Sequence, residues 1–203
     1  TNSDKKTEKV LINELTKNKK KYSILSEEIG FIKNDDNDYI WVIDPIDGTT
    51  NFLHGIPHFC ISIGLKFKDE IISGIIFDPI KNEIFYAEKN QGAFFNNHRI
   101  RVSKRKNLDE CLFATNKNGL SSADLNARIF GSAALDLAYV ASGRIDGYFQ
   151  NDLNLWDIAA GTLIVKEAGG IVNNYDLEKT KNIKVVASSE IINEKMLKRL
   201  NKF

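Results

Sequence analysis

The sequence predicts an α+β protein in which helices and β-sheets form alternating layers. Apolar, β-rich runs at hairpin spacing fill the first half of the 203-residue chain, whereas the second half alternates short strands with apolar helices. Because consecutive hairpins form antiparallel sheets, we expect an antiparallel meander sheet plus a second, mixed sheet. No linker or repeat divides the chain, so residues 1–203 are expected to be one domain with sub-layers at about 1–110 and 111–203.

The composition is that of an ordinary globular protein. Hydrophobic residues make up 42% and charged residues 27% of the chain, and 28 Lys and Arg side chains against 27 Asp and Glu leave a net charge of +1. This balance argues against direct binding of nucleic acids, for which a strongly basic domain is usual. Only two cysteines are present, which excludes a disulfide framework and favours a cytoplasmic protein. No apolar run is long enough to span a membrane.

The first half begins with a helix and continues in strands. Val10, Leu11 and Leu15 have helical spacing, which predicts an amphipathic helix over residues 3–18, capped by Asn2 or Ser3. A short strand follows at 22–25, and the polar residues 29–38 are predicted to form a loop. Further strands are predicted at 39–43, 59–67, 71–77 and 83–87, with a hairpin of 91–97 and 99–103. These runs predict a meander of about five or six strands.

The second half combines apolar helices with short strands. Residues 132–141 and 155–168 predict two helices, which Gly143 and the pair Gly169-Gly170 end. Strands are predicted at 112–115, 146–150, 171–175 and 184–187, and a closing helix at 190–200. This alternation of strands and helices is the basis for the second, mixed sheet.

The strongest functional signal is the segment DPIDGTTNF at residues 44–52, directly after the apolar run YIWVI. A continuous apolar strand is typically buried on both faces, and open α/β folds bind ligands where such strands end. Pro45 stops the strand, so Asp44 and Asp47 can point to one place. The same bend frees the carbonyl of Ile46 as a further oxygen ligand.

The residues after Asp47 suit a phosphate group beside a cation. Gly48 has no side chain, so another group can approach the backbone closely. The N–H groups of Thr49 and Thr50 can then face an anion, as at the start of a helix. Hard oxygen ligands suit Mg²⁺, which binds one or two carboxylates together with water and substrate oxygens. Asp-Pro or Asp-Gly alone indicates only a turn, but the complete segment after an apolar strand predicts a site for Mg²⁺ and phosphate.

The segment DPIDGTTNF, the preceding pair Glu27-Glu28, and Trp156-Asp157 before an apolar helix resemble the inositol monophosphatase family of Mg²⁺-dependent, Li⁺-sensitive phosphatases. The resemblance extends over nearly the whole chain. It implies a layered αβαβα sandwich of the sugar phosphatase type, a hydrolase that acts on small phosphomonoesters, and a homodimer. The residues Thr50-Asn51-Phe52 are more like the branch that hydrolyses inositol and sugar phosphates than the branch that hydrolyses nucleotide bisphosphates.

The resemblance also implies roles for individual residues. The implied Mg²⁺ ligands are Glu27, Asp44, Asp47, Asp157 and the carbonyl of Ile46. Thr49 and Glu27 are implied to position the attacking water, and Asp4 to support Thr49. The implied substrate-binding residues are Asp47, Gly48, Thr49, Thr50, Ala133, Gln150 and Asp157. Four carboxylates in one pocket repel one another unless cations neutralise them, which agrees with the implied metal site.

The chain departs from the family pattern at three places. Gln150 stands where the family usually has a glutamate that contacts a sugar or inositol hydroxyl; the amide adds donors and removes the charge. Residues 116–128 are shorter than the corresponding family segment. The family's first helix and a loop with a lysine are absent, and we expect both to precede Thr1 in the intact protein.

The substrate and even the class of function therefore stay open at the level of sequence. Inositol 1-phosphate is the expected substrate, with fructose 1,6-bisphosphate or another sugar phosphate as the alternative. Some bacterial members of the family act in ribosomal RNA transcription by binding protein partners, so a regulatory role is a further alternative.

Overall fold

A computed structural model describes residues 1–17, 22–118 and 124–200. Helices with bounds inside these ranges are α1 (Asn2–Thr16), α2 (Thr49–Leu53), α3 (Ala133–Ala141), α4 (Leu155–Glu167) and α5 (Glu190–Arg199). One sheet contains β1 (Tyr22–Ser26), β2 (Gly30–Ile32), β3 (Asp36–Asp47), β4 (Cys60–Phe67), β5 (Glu70–Asp78), β6 (Glu83–Glu88), β7 (Gly92–Phe95) and β8 (His98–Arg99). The other contains β9 (Phe113–Thr115), β10 (Ala127–Arg128), β11 (Gly147–Leu153), β12 (Gly170–Val172) and β13 (Ile183–Ser189).

The two sheets differ in strand direction. The first has the strand order β2-β1-β3-β4-β5-β6-β7-β8, in which β3 to β8 form an antiparallel meander and β1 pairs with β3 in parallel. The second has the order β10-β9-β11-β13-β12 and combines parallel with antiparallel pairs. The predicted meander and mixed sheet are confirmed, with one parallel pair added to the first sheet.

Helices α3 and α4 lie between the two sheets and contact both of them. Helix α1 packs against β3 of the first sheet, and α5 packs against β12 and β13 of the second. This is the predicted αβαβα sandwich. Nearly every residue of α3 and α4 is buried, as expected for apolar helices that are covered on all sides. None of the described helices is long and apolar enough to cross a membrane.

The predicted loop at residues 29–38 is wrong, because this stretch contains β2 and the start of β3. A tight turn follows Ser26, and Gly30 adopts a φ of +81° that lets the chain fold back onto β1. The strand predicted at 99–103 is reduced to His98–Arg99, since the N–H of Val102 donates to the Ala168 carbonyl. The strand predicted at 171–175 ends at Val172.

The inner face of α1 is more polar than predicted, although Leu11 and Leu15 of the predicted apolar face are half-buried. Asp4 and Glu8 are the buried residues of this helix, whereas Val10 is 59% exposed. The cap also differs from the prediction, because the N–H of Asp4 donates to the side chain of Thr1 at 3.3 Å and the helix begins at Asn2. The predicted end of the helix at residue 18 lies outside the described residues.

Close packing of α3 against α4 leads to a first prediction. A Cβ atom at Gly161 would lie 2.6 Å from Cβ of Leu137. Gly161→Ala should therefore lower the free energy of unfolding by about 1 kcal/mol or more, because overpacking costs about 1–3 kcal/mol and exceeds the gain in helix propensity. Urea unfolding measures the change. A stability equal to or above that of the wild type would contradict this close contact.

Candidate active site

A cavity of about 220 Å³ opens where β3 ends and the first turns of α2, α3 and α4 meet. Most of the predicted site residues line it: Glu27, Asp44, Ile46, Asp47, Gly48, Thr49, Ala133, Gln150 and Asp157. Asp4 and Thr50 do not belong to its wall. Asp4 lies behind Thr49, whereas Thr50 is exposed and its carbonyl accepts a hydrogen bond from the His54 ring.

Asp47 is fixed by the first turn of α3. Its Oδ2 atom accepts the hydroxyl of Ser132 at 2.6 Å and the N–H of Ala134 at 2.7 Å, and the thiol of Cys60 lies 3.8 Å away. The hydroxyl of Ser132 also caps α3 by accepting the N–H of Leu135. Burial raises the pKa of Asp47, and the hydrogen bonds from α3 oppose the rise. The partial positive charge at the N-terminus of α3 therefore offsets only part of the unfavourable burial of this carboxylate.

Asp44 lies where the register of β3 against β4 becomes irregular; the prediction that Pro45 stops this strand is wrong, because β3 continues to Asp47. Its Oδ1 atom accepts the N–H of Ile46 at 3.0 Å, and the residue is 3% exposed. Burial raises the pKa of Asp44 well above its usual range, and the charges of Asp47, Glu27 and Asp157 raise it further. The charges of three neighbouring carboxylates therefore all disfavour the ionised form of Asp44.

Gly48 and Thr49 directly follow the last residue of β3. Gly48 adopts a φ of +94°, and a Cβ atom there would lie 3.1 Å from the carbonyl oxygen of His58, so a side chain is excluded. The Oγ1 atom of Thr49 lies 2.9 Å from the carbonyl of Ile46 and 3.3 Å from Oδ1 of Asp4. Because the hydroxyl has a single proton, it donates to one of these two oxygens at a time.

Asp157 lies in the first turn of α4. Its Oδ2 atom accepts the backbone N–H of Asn154 at 2.7 Å and the side-chain amide of Asn154 at 3.2 Å. Burial is the largest cause that raises the pKa of Asp157 from 3.8 to about 7, and the charge of Asp47 adds to it. The carboxyl group therefore changes its charge near neutral pH.

Glu27 reaches the cleft from the turn between β1 and β2 and is more exposed than the three aspartates. Partial burial raises its pKa, and the charges of Asp4 and Glu28 raise it further. A hydrogen bond with Asp44 opposes this rise. Such a bond between two carboxyl groups requires a proton on one of them, so these two groups compete for protons.

The donor set fits Mg²⁺ by its chemistry and charge. Carboxylates and a backbone carbonyl are hard oxygen ligands of the kind that Mg²⁺ prefers. Within the described ranges, no three His, Cys, Asp or Glu side chains come close enough together to hold an ion as they stand. Nearby negative charges raise the pKa values of Glu27, Asp44 and Asp157, so these groups repel one another when they are ionised. A divalent cation would relieve this repulsion.

Sequence reasoning missed four polar residues of the cleft wall: Thr115, Asn116, Ser132 and Asp136. A serine directly before an apolar helix is a cap signal, and this signal could have identified Ser132. Asp136 is buried, and burial together with the charge of Asp47 raises its pKa well above the usual range. No pattern separates it in the sequence from an exposed acidic residue in the first turn of a helix.

The raised pKa of Asp157 predicts an unusual dependence of stability on pH. Between its ordinary pKa of 3.8 and about 7, the folded state holds a proton that the unfolded state has lost. In the absence of divalent ions, this group should therefore lower the free energy of unfolding as pH rises through that window. Urea unfolding in EDTA measures the effect, and Asp157→Asn should remove it. Saturating Mg²⁺ should restore the free energy of unfolding at the upper end of this pH window. The same dependence on pH in the wild type and in Asp157→Asn would contradict the raised pKa of Asp157.

The chain is similar to proteins of known family over most of its length. Residues 1–202 match the Inositol monophosphatase family. The chain is 39% identical to an inositol-1-monophosphatase of Mesorhizobium japonicum, with 98% of this chain and 82% of that protein aligned. It is 42% identical to the Nus factor SuhB of Escherichia coli strain K12, with 86% of this chain and 71% of that protein aligned.

A solved structure agrees with the fold. The crystal structure of the extragenic suppressor protein suhB from Bartonella henselae has a TM-score of 0.89 and 44% sequence identity, with 98% of this chain and 83% of that chain covered. Sequence and fold lead to the same assignment: the chain belongs to the inositol monophosphatase family.

Proposed function

We propose that the chain hydrolyses a small phosphomonoester with Mg²⁺ as cofactor, and that inositol 1-phosphate is the substrate. The observation that carries the proposal is a single cleft whose wall contains five carboxyl groups, those of Glu27, Asp44, Asp47, Asp136 and Asp157, beside the hydroxyl of Thr49. The relative named inositol-1-monophosphatase supports this substrate, and members of the family are typically metal-dependent. Fructose 1,6-bisphosphate or another sugar phosphate is the alternative.

The proposed ligands of the ion are the carboxylates of Glu27, Asp44, Asp47 and Asp157 and the carbonyl of Ile46. When bound, Mg²⁺ supplies positive charge that offsets the carboxylates, polarises the phosphate and lowers the pKa of attached water. Phosphoryl transfer depends mainly on positioning and charge neutralisation, so the cleft needs no covalent nucleophile.

Glu27 and Thr49 are the proposed partners of the attacking water. When the Thr49 hydroxyl donates to Asp4, 3.3 Å away, its oxygen keeps lone pairs that can accept a hydrogen bond from water. Glu27 then accepts the proton that the water loses as it attacks phosphorus. The bond from phosphorus to the substrate oxygen breaks, the leaving oxygen takes a proton from solvent water, and Glu27 returns its proton to the solvent. The turn Gly48-Thr49-Thr50 is the proposed phosphate contact.

Gln150 is the proposed contact for the alcohol part of the substrate, together with Ala133, Asp47 and Asp157. Its Oε1 atom accepts the hydroxyl of Tyr148 at 3.1 Å, and Tyr148 is completely buried. A buried hydroxyl proton needs an acceptor, which fixes the orientation of the amide. The nitrogen of this amide is then the group offered to a substrate oxygen, and it donates rather than accepts.

Removing the charge of Asp44 tests the proposed activity. Wild-type protein should release phosphate from inositol 1-phosphate with Mg²⁺, and Asp44→Asn should lower kcat/KM by more than about 100-fold, since even residues that support metal ligands change activity about 10- to 100-fold. Fructose, nucleotide and histidinol phosphates complete the panel, assayed with and without Li⁺. Asp69→Asn alters an exposed carboxylate outside the cleft and is the matched control. Full activity in Asp44→Asn would refute the metal site.

The role of Gln150 leads to a test of specificity. Gln150→Glu adds a negative charge beside the alcohol part of the substrate. Because that part carries a second phosphate in fructose 1,6-bisphosphate, the variant should disfavour this substrate relative to inositol 1-phosphate. A repulsion of about 1 kcal/mol corresponds to a change of roughly fivefold in the ratio of the two kcat/KM values. Gln91→Glu, an exposed position, controls for charge alone. An unchanged ratio would argue against a substrate contact at Gln150.

A second candidate function is a protein-binding role in ribosomal RNA transcription. The relatives named Nus factor SuhB favour it, at 42% identity for those of Pasteurella multocida and Escherichia coli. The substrate panel separates the two candidates: Mg²⁺ binding without phosphate release from any substrate would favour the regulatory role.

A homodimer is also proposed, and sedimentation equilibrium would measure it.

A further inference from the structure

The two buried side chains of helix α1 are both acidic. Asp4 and Glu8 are each 1% exposed and lie one helical turn apart. Burial of an unpaired carboxylate is unfavourable, so a side chain at such a position needs hydrogen bonds. Asp4 contacts Thr49 and belongs to the site described above. Glu8 has a different set of partners.

Glu8 binds the turn between β1 and β2. Its Oε1 atom accepts the backbone N–H groups of Glu28 and Ile29, each at 3.3 Å, and the hydroxyl of Ser26. Ser26 is completely buried. Ser26 directly precedes Glu27 and donates with its side chain, whereas Glu28 and Ile29 are the next two residues and donate with their backbone. One carboxylate oxygen therefore binds groups on both sides of Glu27.

The backbone of Glu27 is also tied to β3. Its N–H donates to the carbonyl of Ile43 at 3.3 Å, and Ile43 immediately precedes Asp44. Strands β1 and β3 run in parallel, with Ser26 opposite Ile43. The turn is thus fixed between Glu8 of α1 and the end of β3, while Glu27 contributes to the cleft wall.

We propose that Glu8 is a positioning residue that holds Glu27 in place for binding of the divalent cation. The inference rests on the function proposed above. Glu8 does not line the cleft, so it acts only through the turn and touches neither ion nor substrate. Without its carboxylate, the N–H groups of Glu28 and Ile29 lose their acceptor, and Glu27 loses its fixed position relative to Asp44.

Two substitutions at Glu8 separate hydrogen bonding from charge. Glu8→Met removes the acceptor with little change in side-chain length. Glu8→Gln keeps one oxygen as an acceptor. A single oxygen is sufficient, because only Oε1 of Glu8 accepts these hydrogen bonds. Its Oε2 atom is buried without a partner among the described residues. Glu8→Gln should therefore behave like the wild type.

Asp146→Leu is the matched control. Asp146 is as buried as Glu8, and it accepts the N–H of Leu112 at 2.9 Å and the guanidinium of Arg105 at 3.0 Å. It does not line the cleft. This variant measures the general effect of removing a buried carboxylate that accepts backbone hydrogen bonds.

Calorimetric titration with Mg²⁺, without substrate, and hydrogen exchange of individual amides test the inference. Glu8→Met should weaken Mg²⁺ binding about 10- to 100-fold, the range found for residues that support metal ligands. It should also lose protection at the amides of Glu28 and Ile29. Glu8→Gln should retain both properties. Asp146→Leu should lower Tm while leaving Mg²⁺ affinity and these two amides unchanged.

The outcomes distinguish this inference from the proposed function. Wild-type Mg²⁺ affinity in Glu8→Met, or a loss no larger than that in Asp146→Leu, would overturn the role of Glu8. Absence of Mg²⁺ binding by the wild type would instead overturn the proposed function. In that case amide exchange still decides whether Glu8 orders the turn, since this measurement needs no ion. Unchanged protection at both amides would then refute it.

Discussion

The crowding of carboxyl groups in one partly buried cleft is the constraint on which the rest of the structure depends. Burial disfavours each negative charge, and the neighbouring charges add repulsion, as the raised pKa values of Asp44 and Asp157 indicate. Within the described residues, none of the ion pairs includes Asp44, Asp47 or Asp157. Backbone amides, hydroxyls and a side-chain amide hold these groups instead. Because no basic side chain of the described ranges forms an ion pair with them, their charge stays available to a cation.

The layered fold meets this constraint by placing each carboxylate at the end of an element. Asp47 is the last residue of β3 and Asp44 lies just before it, Asp157 lies in the first turn of α4, and the first turn of α3 binds Asp47. Helix N-termini carry partial positive charge, which offsets part of the repulsion. The apolar bodies of α3 and α4 are buried between the sheets, so the positions of these first turns are set by core packing. The close packing of Gly161 against Leu137 is one of the contacts that set how α4 lies on α3.

The elements that carry most of the cleft could be predicted because local patterns specify them. The apolar run before Asp44 predicts β3, and capping residues together with apolar composition predict α3 and α4. The inward side of α1 could not be predicted, because an acidic residue near a helix N-terminus is ordinarily exposed and favoured by the dipole. Glu8 can be buried because Ser26 and the turn after it provide hydrogen-bond donors for its carboxylate. The sequence did not predict this turn, because it did not predict strand β2. Long-range hydrogen bonds of this kind leave no periodic signal in the sequence.

The polar inner side of α1 has a consequence for how the outer helix is held. An ordinary amphipathic helix docks by burying apolar side chains, but α1 buries two carboxylates whose partners are the turn of Glu27 and the hydroxyl of Thr49. Order in that turn and docking of α1 are therefore linked. On the proposed function, a cation that binds Glu27 favours the ordered turn and hence the docked helix, and by linkage docking of α1 raises the affinity for the cation by the same factor. Helix and ion are then coupled through a shared turn, although Glu8 does not reach the cleft.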